Sequence, residues 1–435
     1  MSLTGYGIVG IIVLLFLLLA SMPVAFAMLG VGLVGFAMVV NQDAAFTMLA
    51  SDLIDTFSST SLVVIPLFVL MGQVAFHSGI SKRLFNSAYL WVGSLPGGLA
   101  MATVVACAFF GAICGSGPAT AATMAAVALP EMKRYKYDDA LASGTVASAG
   151  SLGMMIPPSV VFIVYGILTQ QSIGKLFIAG ILPGIFIAIL FCIDIYIRCL
   201  KNPTLGPAGA KATMKEKITS LTGIIETLIL FIIVMAGIFF GLFTPTEGAG
   251  VGAGGTILLS LLLRQITWKS FVRALMETLR TSCMILIVIG GAVILGRFFA
   301  ITRLPMTIAN GLITLPIPNW AICFLVMVFY MVGGCFIDAL ALVLLTVPIF
   351  YPVIQQLGYD PIWFSVMIIV LTQIGVISPP VGINVYVVSG MERNLSLATV
   401  FRGSLPFLWI LVGVSIFFLI FPDLVIWLPN WIENI

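Results

Sequence analysis

The sequence predicts an all-α polytopic membrane protein built from two inverted-topology repeats, each holding a re-entrant helical hairpin and a helix broken at a Pro-Pro pair. Three observations carry this expectation. Of the 435 residues, 61% are hydrophobic and only 8% are charged, too few charges to cover the exterior of a soluble protein of this length. Apolar stretches of ~20 residues recur from residue 5 to residue 427, each long enough to cross a ~30 Å hydrocarbon core. Finally, landmarks of the first half return in the same order in the second, at an offset near 222 residues.

The repeat is read from several pairs. Pro23 opens a helix containing Gly30 and Gly32, and Pro245 opens one containing Gly252 and Gly254. Met71-Gly72 matches Leu295-Gly296, and Tyr137-Asp138 matches Tyr359-Asp360. In each copy a Pro-Pro pair follows 19 residues after the Asp, at Pro157-Pro158 and Pro379-Pro380. Leu182-Pro183 then matches Leu405-Pro406. A polar linker, 201–217, joins the copies.

Each half reads as three ordinary spans, a hairpin, a broken helix and one closing span. In the first half the spans fall near 5–21, 23–41 and 60–78, the hairpin at 97–130, the broken helix at 139–169 and the last span at 176–199. The second half places its hairpin at 319–352 and its broken helix at 361–390, with a terminal segment at 426–435. A hairpin adds no net crossing, so each half crosses five times, and an odd number turns the second copy upside down.

Charge tests that topology independently. With the linker cytoplasmic, all of the 19 Lys and Arg residues except Lys175, Arg297 and Arg303 fall on the cytoplasmic side, Arg393 among them. This satisfies the positive-inside rule and leaves both termini outside. The first span lacks a basic segment before it and runs into a second apolar stretch, so it reads as a retained helix rather than a signal peptide. The seven cysteines show no metal-ligand spacing, and His77 is the only histidine, which excludes His-rich metal sites. The basic residues lie in short loops rather than on one face, so nucleic acid is not an expected partner.

Inverted repeats with interrupted helices place a binding site near the bilayer midplane, where the broken segments meet. The first kind of interruption is the hairpin tip, Cys114-Gly-Ser-Gly-Pro-Ala-Thr-Ala-Ala-Thr123. Unwound backbone at membrane depth needs partners such as a cation, water or substrate. Gly115, Ser116 and Gly117 supply backbone groups, Ser116 and Thr120 add hydroxyls, and the amides after Pro118 suit an anion. A Gly/Pro kink in a packed helix is the plainer alternative. The repeat places Asp338 opposite Ser116, in Gly333-Gly-Cys-Phe-Ile-Asp338-Ala-Leu-Ala341. An aspartate in an apolar segment costs roughly 2.5–3.5 kcal/mol and marks ion or proton paths, although it can equally cap the returning arm.

The second kind of interruption is the Pro-Pro pair, in Gly153-Met-Met-Ile-Pro-Pro-Ser159 and Gly375-Val-Ile-Ser-Pro-Pro-Val-Gly-Ile-Asn384. Two prolines remove two backbone donors and release the carbonyls of the preceding turn. Those oxygens, with Ser159 or Ser378, suit a hard cation such as sodium, and Asn384 lies one turn into the next half-helix. A plain proline kink is the alternative. Thr244-Pro-Thr-Glu247 fits a capping box, so Glu247 reads as structural. The run 248–255 fits close helix packing rather than a phosphate. Asp194 and Glu226 sit near helix ends and read as interfacial.

Taken together, GAICGSGPATAATM (111–124), GMMIPPS (153–159), FTPTEGAGVGAG (243–254), GGCFIDALA (333–341) and ISPPVGINVYV (377–387) resemble the DctM-like large membrane subunit of tripartite ATP-independent periplasmic (TRAP) transporters. The resemblance spans both halves. It implies sodium-coupled, ATP-independent uptake of an organic acid by an elevator, and no enzymatic activity. Segments 1–95 and 218–316 would form the scaffold, and 96–200 and 317–425 the transport domain. The implied partners are a small four-helix membrane subunit, a soluble periplasmic substrate-binding protein and membrane lipid, in a bacterial inner membrane.

Carried over by position, one sodium site is framed by Gly115, Ser116, Gly117, Gly153 and Pro157, and a second by Gly334, Asp338, Gly375, Ser378 and Pro379. Substrate would meet Ser116, Pro118, Thr120, Ser159, Gly382 and Asn384. Three alternatives stand beside this expectation: a self-sufficient sodium-coupled carrier, a passive channel, and an intramembrane serine hydrolase using Ser116 and His77. Dicarboxylates, sialic acid and ectoine-like compounds are all substrates within the family.

Overall fold

The computed structural model describes residues 2–433 apart from 21, 210, 315, 393 and 394, so Arg393, counted above as cytoplasmic, lies outside the described residues. Those residues form helices and no strand. In the first half, α1 (Leu3–Leu19), α2 (Val24–Val39) and α3 (Gln42–Phe57) lead through a 3-10 helix (Thr60–Val63) into α4 (Val64–His77) and α5 (Ile80–Val92). The hairpin arms are α6 (Gly98–Cys114) and α7 (Gly117–Arg134). The broken helix comprises α8 (Asp139–Gly150), α9 (Leu152–Met155) and α10 (Val160–Thr169), and α11 (Ile173–Lys201) closes the half.

The second half runs through α12 (Met214–Thr222), α13 (Ile225–Phe239), α14 (Pro245–Leu262), α15 (Trp268–Thr302) and α16 (Leu304–Ile313). Its hairpin arms are α17 (Asn319–Gly334) and α18 (Ala339–Gln356), and its broken helix is α19 (Pro361–Ile377) followed by α20 (Ile383–Met391). The closing helix is α21 (Leu397–Ile420), with a short α22 (Asp423–Glu433) after it. By length and apolar composition six helical segments can cross a membrane, seven if the pair α12–α13, bent by 59°, is one span; α1, α2, α6, α17 and α19 are shorter apolar helices.

Local backbone geometry repeats along with the motifs. Gly79 and Arg303 both take left-handed φ before α5 and α16, and Lys136 and Gly358 do so in the turn after each hairpin. Asp138 and Asp360 each cap the next helix, accepting from Leu141 N at 2.9 Å and Ile362 N at 2.6 Å. Both Pro-Pro peptide bonds are cis.

Two elements of the first half, α3 and α5, depart from the expectation of three simple spans before the hairpin. Residues 42–57 form a further helix, α3, whose Asp43, Asp52 and Asp55 hide it from a hydropathy reading. A run of hydroxyl side chains, Ser58-Ser-Thr-Ser61, competes with the helix backbone and separates α3 from α4. In the second half the corresponding stretch continues unbroken as the 35-residue α15. At 1.5 Å per residue it is about 52 Å long, well beyond the ~30 Å core.

The halves interlock through small residues. A Cβ on Gly32 of α2 would lie 2.8 Å from the backbone of Ile294 in α15, and one on Gly291 would lie 2.6 Å from Ala25 O, so these helices cross at backbone distance. Gly144 of α8 and Gly403 of α21 meet the same way. At one end Lys133 Nζ pairs with Glu392 Oε1 at 3.0 Å, and Arg83 Nη2 donates to Gln265 Oε1 at 2.7 Å. Elsewhere Tyr165 OH donates to Pro361 O at 2.7 Å, and Gln171 Nε2 to Tyr351 OH at 3.0 Å. Each broken helix thus ends beside the hairpin base of the other half.

The inter-repeat linker is strapped to the first hairpin. Gly206 O accepts from Gly97 N at 2.9 Å, Leu205 O from Asp138 N at 3.0 Å, and Gly93 O from Gly209 N at 2.8 Å. Tyr137 OH donates to Pro207 O at 3.0 Å and accepts from Leu99 N at 3.1 Å. Burial pushes this phenol up to about 12, which keeps it a neutral donor.

Candidate functional site

At the first hairpin tip α6 ends because Gly115 turns left-handed (φ 66), a conformation glycine adopts without a Cβ penalty. Ser116 is extended and opens α7, with proline in the first turn and no side chain capping the helix. The tip is seated on the Pro-Pro break. Gly115 O accepts from Val160 N at 3.3 Å, and a Cβ on Gly115 would lie 2.7 Å from Pro158 O. A Cβ on Gly153 would lie 2.6 Å from Thr120 Oγ1 and 2.9 Å from Ser116 O. Thr120 Oγ1 donates to Ser116 O at 2.8 Å, and Ser159 Oγ donates to Met154 O at 2.6 Å, taking up a carbonyl released by the break. Gly117 packs on Met154. Pro157 turns the other way, into an apolar cavity of about 850 Å³ between α6, α11 and α13.

The second tip repeats this plan with different chemistry. Asp338 takes the position of Ser116 and caps α18, accepting from Leu340 N at 3.1 Å, while its carboxylate remains exposed. A Cβ on Gly334 would lie 3.2 Å from Gly375 Cα, so arm and broken helix touch at backbone distance. Cys335 Sγ and Ser378 Oγ lie 3.0 Å apart, and Ser378 Oγ donates to Gly375 O at 3.3 Å. The breaks differ in exposure: Pro157, Pro158 and Ser159 are buried, whereas Pro379, Pro380 and Val381 are exposed. Gly382 restarts the helix in left-handed conformation (φ 58), close to the Phe401 ring. Asn384 is fully buried and donates from Nδ2 to Ala147 O at 2.9 Å.

Both tips open onto one cavity of about 540 Å³, closed on its other side by α2, α4 and α15. Gly115, Ser116, Gly117, Pro118 and Asp338 line it. Thr120, Gly153 and Ser159 pack against the first tip, Gly334, Gly375 and Ser378 against the second, and Asn384 against α8. Sequence reasoning passed over Gln73 of α4 and Thr281 of α15, the polar groups facing the tips from across the cavity. A glutamine inside the apolar run 64–76 was the available signal.

The remaining polar residues fall into structural roles. His77 Nε2 lies 3.0 Å from Glu277 Oε2 on α15 rather than beside Ser116, so the geometry of a Ser-His pair is missing. Thr244 and Glu247 form the expected capping box, Thr244 N donating to Glu247 Oε2 at 2.8 Å and Glu247 N to Thr244 Oγ1 at 3.2 Å. Asp194 pairs with Arg198 at 3.3 Å.

The chain matches the family described as tripartite ATP-independent periplasmic transporter, DctM component, over residues 11–424. It is 34% identical to the C4-dicarboxylate TRAP transporter large permease protein DctM of Pseudomonas aeruginosa, over 88% of this chain and 90% of that one. It is 32% identical to the sialic acid TRAP transporter large permease protein SiaM of Vibrio cholerae, and 32% to the 2,3-diketo-L-gulonate TRAP transporter large permease protein YiaN of Escherichia coli. Each match covers 95% of this chain and 96% of the relative. Among solved structures, the Alcanivorax borkumensis YdaH transporter has a similar fold, with a TM-score of 0.59 at 17% identity over 90% of this chain and 89% of that one. The Pseudomonas, Vibrio and Escherichia relatives are named as permease proteins of TRAP transporters, which are not enzymes. A multi-pass membrane protein with two hairpin tips facing one cavity, the chain belongs to the DctM family of TRAP transporter large permease subunits.

Proposed function

We propose that this subunit imports an organic carboxylate across the bacterial inner membrane by sodium coupling, with segments 96–200 and 317–425 moving as an elevator against a scaffold of 1–95 and 218–316. The observation that carries this reading is the shared cavity, in which Ser116 and Asp338, equivalent residues of the two repeats, face the scaffold helices α2, α4 and α15 together. Its walls belong to both proposed bodies, as a site carried past a fixed scaffold requires.

Each tip holds a sodium ion in this reading, and the helix N-termini beside them differ in what else they can take. No side chain caps the N-terminus of α7, so its amides are open to a carboxylate beside Ser116 and Pro118. Asp338 already occupies the N-terminus of α18, which favours a cation there. One sodium ion sits where Gly115, Ser116 and Gly117 meet Gly153 and the Pro157 break. The other sits where Gly334 and Asp338 meet Gly375, Ser378 and Pro379. Thr120, Ser159, Gly382 and Asn384 shape the frame around the substrate. The relatives' names specify a C4-dicarboxylate, sialic acid and 2,3-diketo-L-gulonate, which share a carboxylate.

Inversion of the repeats is supported by the interlock of each broken helix with the opposite hairpin base, and by the cytoplasmic clustering of basic loops. It leaves both termini periplasmic. A small four-helix membrane subunit and a periplasmic binding protein complete the transporter.

The test is uptake of labelled succinate, sialic acid and a sugar acid into proteoliposomes holding the chain, with and without the partner proteins. Accumulation that requires all components and an inward sodium gradient is expected. Uptake by the chain alone, or under a potassium gradient of the same size, overturns the reading.

A further inference from the structure

We infer that Gly296 of α15 is a second docking seat, taken by the tip of the second hairpin in the access state opposite to this one. The inference rests on the elevator reading above and adds where the moving body comes to rest. A carrier of two inverted halves sits asymmetrically at each end of its stroke, and exchanging the roles of the halves gives the other end. Equivalence is fixed on both sides of the seat: Gly72 matches Gly296, and left-handed Gly79 matches left-handed Arg303, at the same spacing. Inside the transport segments the twofold relation holds, because Ser151 of α8 touches its own equivalent, Gln373 of α19, at 3.1 Å.

Toward the scaffold the relation is broken. A Cβ on Gly72 would lie 2.9 Å from Cys114 Cα and 3.5 Å from Ile113 O, so α4 meets the first hairpin at backbone distance. The matching contact in the second half would join Gly296 to Phe336, and it is open. A Cβ on Gly296 meets open space among the described residues, and Phe336 is exposed. The α15 residues that line the cavity with the second tip end at Val288, eight residues before Gly296 and ~12 Å short of it along the helix. The second tip therefore stands one stroke away from a surface whose backbone shape the first half already fits. Charge favours the same seat. Arg297 follows it where the first half has Gln73, and the second tip carries Asp338 where the first has Ser116. Gln73 and Ser116 line one cavity here, so their equivalents share one at the other end of the stroke, as a cation and a carboxylate. Asp52 accepts from Nε and Nη2 of Arg297, which leaves further guanidinium N–H donors for Asp338.

A disulfide and a distance test the seat in the full-length chain in liposomes, its native cysteines replaced. Gly296→Cys with Phe336→Cys should oxidise to a disulfide, read as loss of both thiols to a maleimide-polymer tag, with neither single variant losing its thiol. Disulfides need Cα atoms ~4.4–6.8 Å apart, so the pair reports the occupied seat. Spin labels at Arg134→Cys on α7 and Lys269→Cys on α15 follow the two bodies by pulsed electron resonance, and two distances are expected. Two distances without the disulfide keep the elevator and overturn the seat, whereas a single distance removes both. Gly296→Leu gives a further readout. It fills open space in a helix, so the apparent Tm should not fall, while the second distance should be lost. A second distance that survives in Gly296→Leu overturns the seat as well.

Discussion

Replacing Asp338 by asparagine separates its charge from its role as a helix cap. Asparagine caps a helix N-terminus about as well as aspartate, so Asp338→Asn keeps the bond from Leu340 N and changes the unliganded stability little. The charge matters for a cation in the cavity. At ~4 Å and an effective dielectric near 20, one charge pair is worth about 4 kcal/mol. The carboxylate is exposed to the cavity, so water screens much of this, and about 1.5–2 kcal/mol is a reasonable remainder. That corresponds to a ten- to thirtyfold higher sodium requirement. The assay is the sodium-dependent rise in apparent Tm of the purified full chain, with choline holding ionic strength constant. Asp338→Asn should match the wild type without sodium and need at least about tenfold more for the half-maximal rise. Asp338→Ala should also lose about 1 kcal/mol of capping and start lower. An unchanged half-maximal concentration in Asp338→Asn would refute the reasoning and leave Asp338 as a cap alone.

Three further outcomes follow from the packing. A leucine at Gly403 would collide with Ala140 and Gly144 at the α8–α21 crossing, so Gly403→Leu should abolish the monodisperse species in size-exclusion chromatography. Arg297 holds the buried Asp52 with two hydrogen bonds of 2.9 and 3.0 Å. Because Arg297 is itself 61% exposed, Arg297→Gln should cost about 1–3 kcal/mol in thermal stability, and adding Asp52→Asn should recover part of it. Glu247→Ala removes half of a capping box and should lower the apparent Tm slightly while leaving the sodium requirement unchanged.

Much of the site was legible because interruptions of a membrane helix need unusual residues. Only Gly, Pro and small hydroxyls release backbone at depth, so the tips at Gly115-Ser-Gly117 and Gly334–Asp338 and both Pro-Pro breaks stand out in an apolar chain. Legibility fails where the signal lies in pairs. Nothing in the sequence joins Asp52 to Arg297, and three aspartates made α3 look like a loop although it packs on α2 and α15. The fusion of two elements into α15 depends on the absence of one hydroxyl run, a small local difference. Ser151 and Gln373 share no chemistry that would mark them as equivalents, and only their contact gives them meaning. Asn384 looked like a group facing a ligand, and its side-chain amide instead donates to Ala147 O of α8.

The most direct test of the inverted architecture uses Lys136 and Gly358, equivalent turn residues after the two hairpins. Each is changed to cysteine in a chain whose native cysteines are replaced, and probed in intact cells and inverted vesicles with a membrane-impermeant maleimide. The account predicts labelling of position 358 from the periplasm and of position 136 from the cytoplasm alone. Labelling of both from the same side would contradict it.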